Sequence, residues 1–231
     1  MDDLTVVFYT ANSVSDYFAD NVQKQLLKAA GDRPLISVSK KPMNLGHNIV
    51  VDSPRTYINI YRQALIGAKA AKTKYIALAE DDVLYSPEHF NHRGSPGKFA
   101  YNFGAWSIFT WSNPPVFSHK GGGRRTLLNL ICERDLFIEA MEERFAHWPD
   151  DDKINNDLWS EPGKYERQIG VTVRETEIFF TNPPNIVFIH ETALAFGHLG
   201  KRKKLGEFRA TQIPYWGRAE DIAKLYKKDP S

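Results

Sequence analysis

The chain has one cysteine in 231 residues, Cys132. That excludes an internal disulfide framework and fits a reducing compartment. The thiol sits in the apolar run Leu127-Leu128-Asn129-Leu130-Ile131-Cys132, the setting of a buried structural cysteine rather than a nucleophile. No apolar run reaches the roughly 18 residues a membrane helix needs. The first residues, Met1-Asp2-Asp3, are not the basic start of a secretory leader, so a soluble cytoplasmic protein is expected. Charge of one sign is also lacking: a formal net charge of +2 is too small to name a polyanionic partner from bulk composition. There is no internal repeat, no low-complexity tract and no clear linker. The length and a hydrophobic content of 42% therefore point to one domain over 1–231 with a substantial core.

What is present is an alternation of short β-branched runs and helical patterns. Thr5 to Tyr9 reads as a strand, Asp16 to Ala30 as a helix ended by Gly31, and Leu35 to Ser39 as a second strand. A polar loop over 40–54 precedes a helix from Arg55 to Ala71 and a strand from Tyr75 to Ala79. The first 82 residues thus read β-α-β-α-β, the doubly wound style whose ligands bind at strand carboxyl ends. The acceptor side, 83–200, is less regular. Phe99 to Trp111 is aromatic-rich and extended, Gly121-Gly122-Gly123-Arg124-Arg125 marks a flexible loop, and Arg134 to Phe145 has helical spacing. Val171 to Thr181 and Asn185 to Ile189 are strand-like, and a basic segment with Lys201-Arg202-Lys203-Lys204 opens 201–231.

The strand Tyr75 to Ala79 runs straight into Glu80-Asp81-Asp82. Three adjacent carboxylates are too costly to bury together, so a cleft is expected there. In an extended segment side chains two apart share a face, which lets Glu80 and Asp82 converge on one cation. Oxygen ligands suit Mg²⁺ or Mn²⁺, which complete their shells with waters and substrate phosphates, so a diphosphate-bearing substrate is implied. The plainer reading of the triplet is a solvated loop or helix cap.

Asn44-Leu45-Gly46, a helix containing Gly67-Ala68 and Ala71, and Lys74 to Leu78 leading into acids together resemble the GT-A glycosyltransferases, family-2-like members above all, over about the first 200 residues. The resemblance implies an α/β fold of the GT-A type, a Rossmann-like mixed sheet flanked by helices. It implies transfer of a sugar from a nucleotide-diphosphate donor, a UDP-sugar first, to a hydroxyl, with Mn²⁺ or Mg²⁺ as cofactor. Glu80-Asp81-Asp82 then stands for the family's DxD motif, with Ala79 where the longer pattern has an aspartate. Thr10, Ala11, Asn12, Asn44, Gly46, Arg62, Glu80 and Asp81 fall in the nucleotide-binding part. Glu80, Asp82 and His190 are the metal candidates, His190 because it closes the apolar run Ile186 to Ile189. Asp157, in Asn156-Asp157-Leu158-Trp159, and Asp151 and Asp152 compete for the role of base.

Plainer readings stand beside these. Asp150 to Asp152 suit a helix N-terminus, His190 a hydrogen-bonded core position, and Asn12 a turn. The glycine-arginine loop and Lys201 to Lys204, with Trp106, Trp111 or Trp216 for stacking, would fit a nucleic-acid acceptor such as a hydroxymethylated DNA base. A nucleotidyltransferase is the enzymatic rival, but Thr10-Ala11-Asn12-Ser13 lacks the glycine-rich phosphate loop it needs. A non-catalytic sugar or nucleic-acid binder on a degenerate scaffold is the third reading, disfavoured by the intact acids.

Overall fold

The computed structural model describes residues 3–149, 160–191, 193 and 204–227. β1 (Leu4–Thr10) is buried along its whole length, as an interior strand covered on both faces must be. Ser15 caps α1 (Asp16–Ala30), accepting from the Phe18 amide at 3.3 Å. Phe18, Val22, Leu26, Ala29 and Ala30 form the buried stripe of α1, and Gly31, at φ 60°, ends it. β2 (Leu35–Ser39), β3 (His47–Val50), α2 (Tyr57–Ala70) and β4 (Tyr75–Glu80) complete the first half. Gly67 allows α2 to cross close to β1, because a Cβ there would stand 2.3 Å from Val7 Cγ1.

The chain continues through β5 (Val83–Leu84), α3 (Pro87–Asn91), β6 (Lys98–Asn102), β7 (Trp106–Phe109), β8 (Phe117–His119), β9 (Leu130–Glu133) and α4 (Arg134–His147). Then come α5 (Glu166–Ile169), β10 (Glu175–Phe179), β11 (Ile186–Ile189), β12 (Phe208–Ala210), β13 (Gln212–Ile213), β14 (Gly217–Arg218) and α6 (Ala219–Lys224). A seven-stranded sheet has the order β10-β6-β9-β4-β1-β2-β3, with β9 antiparallel to both neighbours and the other pairings parallel. α2 and α4 pack on one face, α1 and α3 on the other. A five-stranded sheet, β12-β8-β7-β11-β5, joins it at a corner: β4 ends at Glu80, Asp81 and Asp82 turn, and β5 starts at Val83.

From β1 the chain moves outward to β2 and β3, then returns to the other side of β1 with β4. Such a reversal opens a crevice at the carboxyl ends of β1 and β4, where open α/β sheets take ligands. The register pairs Tyr9 with Glu80, so the two strands end level at that crevice. The mixed α/β class and the β-α-β-α-β order expected from the sequence are present, with one strand more. β3 lies inside the stretch read as loop: it is four residues long, opens on the polar pair His47-Asn48, and is exposed at His47 and Val50. Phe99 to Trp111, expected as one extended segment, splits into β6 and β7 of different sheets.

α3 carries His89 into the core, fully buried, with Nδ1 3.2 Å from Asn102 Nδ2 and its ring against Tyr85, Phe90 and Phe179. Burial first, then the neighbouring His92, lowers its pKa from the ordinary 6.5 to about 3. His92, stacked on Phe179 at 3.7 Å, is lowered by burial too, with Arg93 adding and Glu177 opposing. A base with a depressed folded pKa takes up a proton on unfolding, so its contribution to stability is whole above about 6.5 and lost as pH falls toward 3. Between about pH 7 and about pH 5 the urea midpoint of the parent should therefore lose ground to that of His89→Gln, which lacks the titrating ring. An identical pH dependence in variant and parent would contradict the assignment.

Candidate functional site

The end of β1 and the end of β4 are tied by neutral donors. The Tyr9 hydroxyl donates to Glu80 Oε1 at 2.7 Å, and the Thr10 hydroxyl, itself buried, donates to Asp81 Oδ2. The Tyr85 hydroxyl accepts from the Glu80 amide at 3.1 Å and donates to the Leu128 carbonyl at 2.9 Å, fixing the strand end from below. Asn12, in the left-handed region at φ 50°, ties the loop after β1 to the loop after β2: its Oδ1 accepts from the amides of Lys40 at 2.8 Å and Lys41 at 3.0 Å. Buried Gln63 on α2 donates to the Thr10 carbonyl at 3.0 Å.

Asp82 belongs to the corner between the sheets. Its carbonyl accepts from the Phe188 amide at 2.8 Å, locking the turn to β11. Its Oδ2 lies 3.5 Å from Nε2 of His190, a 3% exposed ring that follows β11 and packs beside Phe18 and Tyr226. Its Oδ1 is buried without a hydrogen-bond partner. Burial, then the Asp82 charge, pushes Glu80 up to about 8 against the opposing Tyr9 hydrogen bond, with Asp81 and Glu161 adding. Asp81 rises to about 6 for the same two leading reasons, opposed by Thr10 and His190. Among the described residues no lysine or arginine pairs with any of the three acids.

A buried carboxylate oxygen without a donor, amid acids whose charged forms are disfavoured, fits a site for a divalent cation. Among the described residues no group of three or more His, Cys, Asp or Glu side chains could hold an ion by itself. The structure brings together Asp82 and His190. Glu80 stands near enough to feel the Asp82 charge, but its Oε1 is taken by Tyr9, because the strand stops at Glu80 and the following turn breaks the shared-face spacing. A cation taking one or two protein ligands and the rest from phosphates and water suits this donor set.

Glu161, which the sequence reading missed, is a fourth carboxylate near the crevice, and its charge acts on Glu80 and on Tyr61. It is 7% exposed, with Oε2 accepting from Ser160 Oγ at 2.6 Å and from Lys164 Nζ at 2.8 Å. Arg144 of α4, 1% exposed, holds this segment by donating to the carbonyls of Ser160, Glu161 and Lys164 and to Glu166 Oε1. Glu166 in turn accepts from the amides of Gly163 and Arg174. Lys164 also donates to the Arg125 carbonyl at 2.7 Å, and Arg125 reaches the Gly163 carbonyl, so the glycine-arginine loop is moored to the same segment.

Of the expected nucleotide-binding residues, Thr10, Ala11, Asn12, Glu80 and Asp81 lie at the strand ends. Asn44 and Gly46 do not line the crevice. Their loop runs back along β2, and Gly46, at φ 61°, abuts the Leu35 carbonyl at the opposite end, a strand length of about 13 Å away. Arg62 is also elsewhere: one residue before Gln63, it projects from α2 onto Phe145 and donates to Asn59 and to the Pro149 carbonyl. There it lines a groove of about 660 Å³ between α2 and α4. Asp151, Asp152 and Asp157 lie outside the described residues.

No family model and no curated protein matches the chain. Solved structures similar to it include a glycosyltransferase involved in the glycosylation of the major capsid of PBCV-1, 10% identical over 78% of this chain and 82% of that one, TM-score 0.43. TarS 1-349 from S. aureus is 11% identical over 81% of this chain and 60% of its own, TM-score 0.46. The 2-C-methyl-D-erythritol 4-phosphate cytidylyltransferase from Thermus thermophilus is 11% identical over 87% of this chain and 100% of its own, TM-score 0.45. Likenesses of this strength bear on neither the reaction nor the residues that perform it.

Removing one partner of a buried ion pair costs about 3–5 kcal/mol, because the other charge stays behind unpaired. Arg144→Leu, which strands Glu166 and three carbonyls, should lose that much stability in urea unfolding. A loss within about 1 kcal/mol would contradict the clamp.

Proposed function

We propose that the chain is a metal-dependent glycosyltransferase of the GT-A type, moving a sugar from a nucleotide-diphosphate donor, a UDP-sugar first among them, to a hydroxyl acceptor. The observation that carries this reading is the buried, partnerless Asp82 Oδ1 at a switch-point crevice whose β4 acids have no lysine or arginine partner among the described residues. Asp82 and His190 would hold Mn²⁺ or Mg²⁺, and the bound ion would neutralise the charge that develops on the leaving diphosphate. Thr10 and Tyr9 keep Asp81 and Glu80 in place behind it.

Glu161 would act on the acceptor. Its carboxylate takes the proton of the acceptor hydroxyl, the hydroxyl oxygen bonds to the anomeric carbon, and the bond from that carbon to the diphosphate breaks with its electron pair leaving on phosphate. Lys164 orients the carboxylate through Oε2. Asp151, Asp152 and Asp157 are the remaining candidates for this proton. A hydroxymethylated base in DNA would offer a hydroxyl on a polyanion, and the exposed cations of the 119–125 loop support it. The loop after β1 argues against nucleotidyl transfer, since Asn12 closes it onto the backbone of Lys40 and Lys41 and no run of glycine amides faces a triphosphate.

Release of UDP from a UDP-sugar with Mn²⁺ present should be readily measurable and lost in Asp82→Asn; undiminished turnover in that variant would sink the reading. Glu161→Gln should slow transfer by about 10²–10⁴-fold with the donor KM little changed. Full activity in Glu161→Gln would return the base role to the aspartates of the 150–157 stretch.

A further inference from the structure

We propose that the outer edge of the five-stranded sheet binds single-stranded nucleic acid, with Phe208 as its base-stacking ring. The purpose of such a surface, delivering a base-borne hydroxyl to the crevice, rests on the transferase reading; its geometry does not. Three aromatic rings run outward from the core. Trp106 packs against the cluster that contains Phe18 and Phe188. His119 lies over Trp106 with centroids 5.4 Å apart, held by its Nε2 3.1 Å from the Phe103 carbonyl. Phe208, paired with His119 across β8 and β12, is the outermost ring, 6.4 Å from His119 and 55% exposed.

The glycines of the adjoining loop keep that outer ring open. A Cβ at Gly121 would come within 3.2 Å of Phe208 Cε2, and Gly122 faces open space. The loop that carries Gly121 also carries exposed Lys120 and Arg124, exposed Lys204 lies four residues before the ring, and exposed Arg209 is on the other face of the same edge strand. Among the described residues none of these four cations forms an ion pair, and Glu207 is the one acid in the segments 117–125 and 204–210. An exposed ring flanked by uncompensated cations matches a chain of flat bases joined by phosphates, each base stacking while its phosphates meet the lysines and arginines. A lone polyanion would call for the charges but not for the ring. The strip reaches the crevice lip through Arg125, whose carbonyl accepts from Lys164 beside Glu161.

Fluorescence anisotropy with a labelled single-stranded DNA tests this over a salt series. Binding should weaken steadily with salt, Phe208→Ala should weaken it about 5- to 150-fold at fixed salt, and Lys120→Glu with Lys204→Glu should lower both affinity and salt slope. Phe208 is exposed on an edge strand, so its loss leaves the core intact. Absence of salt-sensitive binding, or equal affinity in Phe208→Ala and parent, overturns the proposal. So does heparin binding as tightly as DNA with no effect of Phe208→Ala, which would assign the edge to polyanions at large. Asp82→Asn should bind DNA like the parent. Intact turnover without DNA binding would remove this surface alone, whereas DNA binding without turnover would remove the transferase reading alone.

Discussion

Everything at the crevice follows from one electrostatic constraint: Glu80, Asp81 and Asp82 are consecutive, closely spaced, and lack a lysine or arginine partner among the described residues. Burying a carboxylate costs several kcal/mol even after relaxation, and neighbouring like charges add to that. The fold meets the constraint with hydroxyl donors, Tyr9 for Glu80 and Thr10 for Asp81, and sets the His190 ring 3.5 Å from Asp82. The raised pKa values of Glu80 and Asp81 show that these donors do not fully offset the burden. An external cation is the remaining way to keep the acids charged, and the partnerless Asp82 Oδ1 is where it would first be needed.

The surrounding architecture holds that arrangement from two sides. The corner turn at Asp81 and Asp82 is fixed by the Phe188 amide, which makes β11 and its terminal His190 part of the same construction as β4. Across the crevice the Arg144 clamp fixes the Ser160 to Lys164 segment, and with it Glu161 and the neighbouring Arg125. A buried arginine and glutamate are a costly means of ordering a loop, and the loop they order is the one that carries a carboxylate toward the acids of β4.

The strand-to-acid junction was legible because an apolar run ending in charge needs only local pattern to be seen. α1 was legible to the residue for the same reason, its Ser15 cap and Gly31 stop flanking a clear apolar stripe. Glu161 was not, since its importance depends on Arg144, distant in sequence and meeting it only through tertiary packing. The helix α2 shows how fine the margin is: Gln63 faces Thr10 while Arg62, one position earlier and about 100° around the helix, faces outward. Asn44 and Gly46 misled because a loop leaving a strand end need not stay there, and β3 hid because an exposed edge strand carries little apolar signal.

The most direct test of the central claim is the position of manganese in a crystal grown with UDP and Mn²⁺, read from its anomalous scattering. The account predicts a peak within coordinating distance of an Asp82 carboxylate oxygen, bridged to the diphosphate. A manganese site elsewhere, or UDP bound in the crevice with no metal near Asp82, would contradict it.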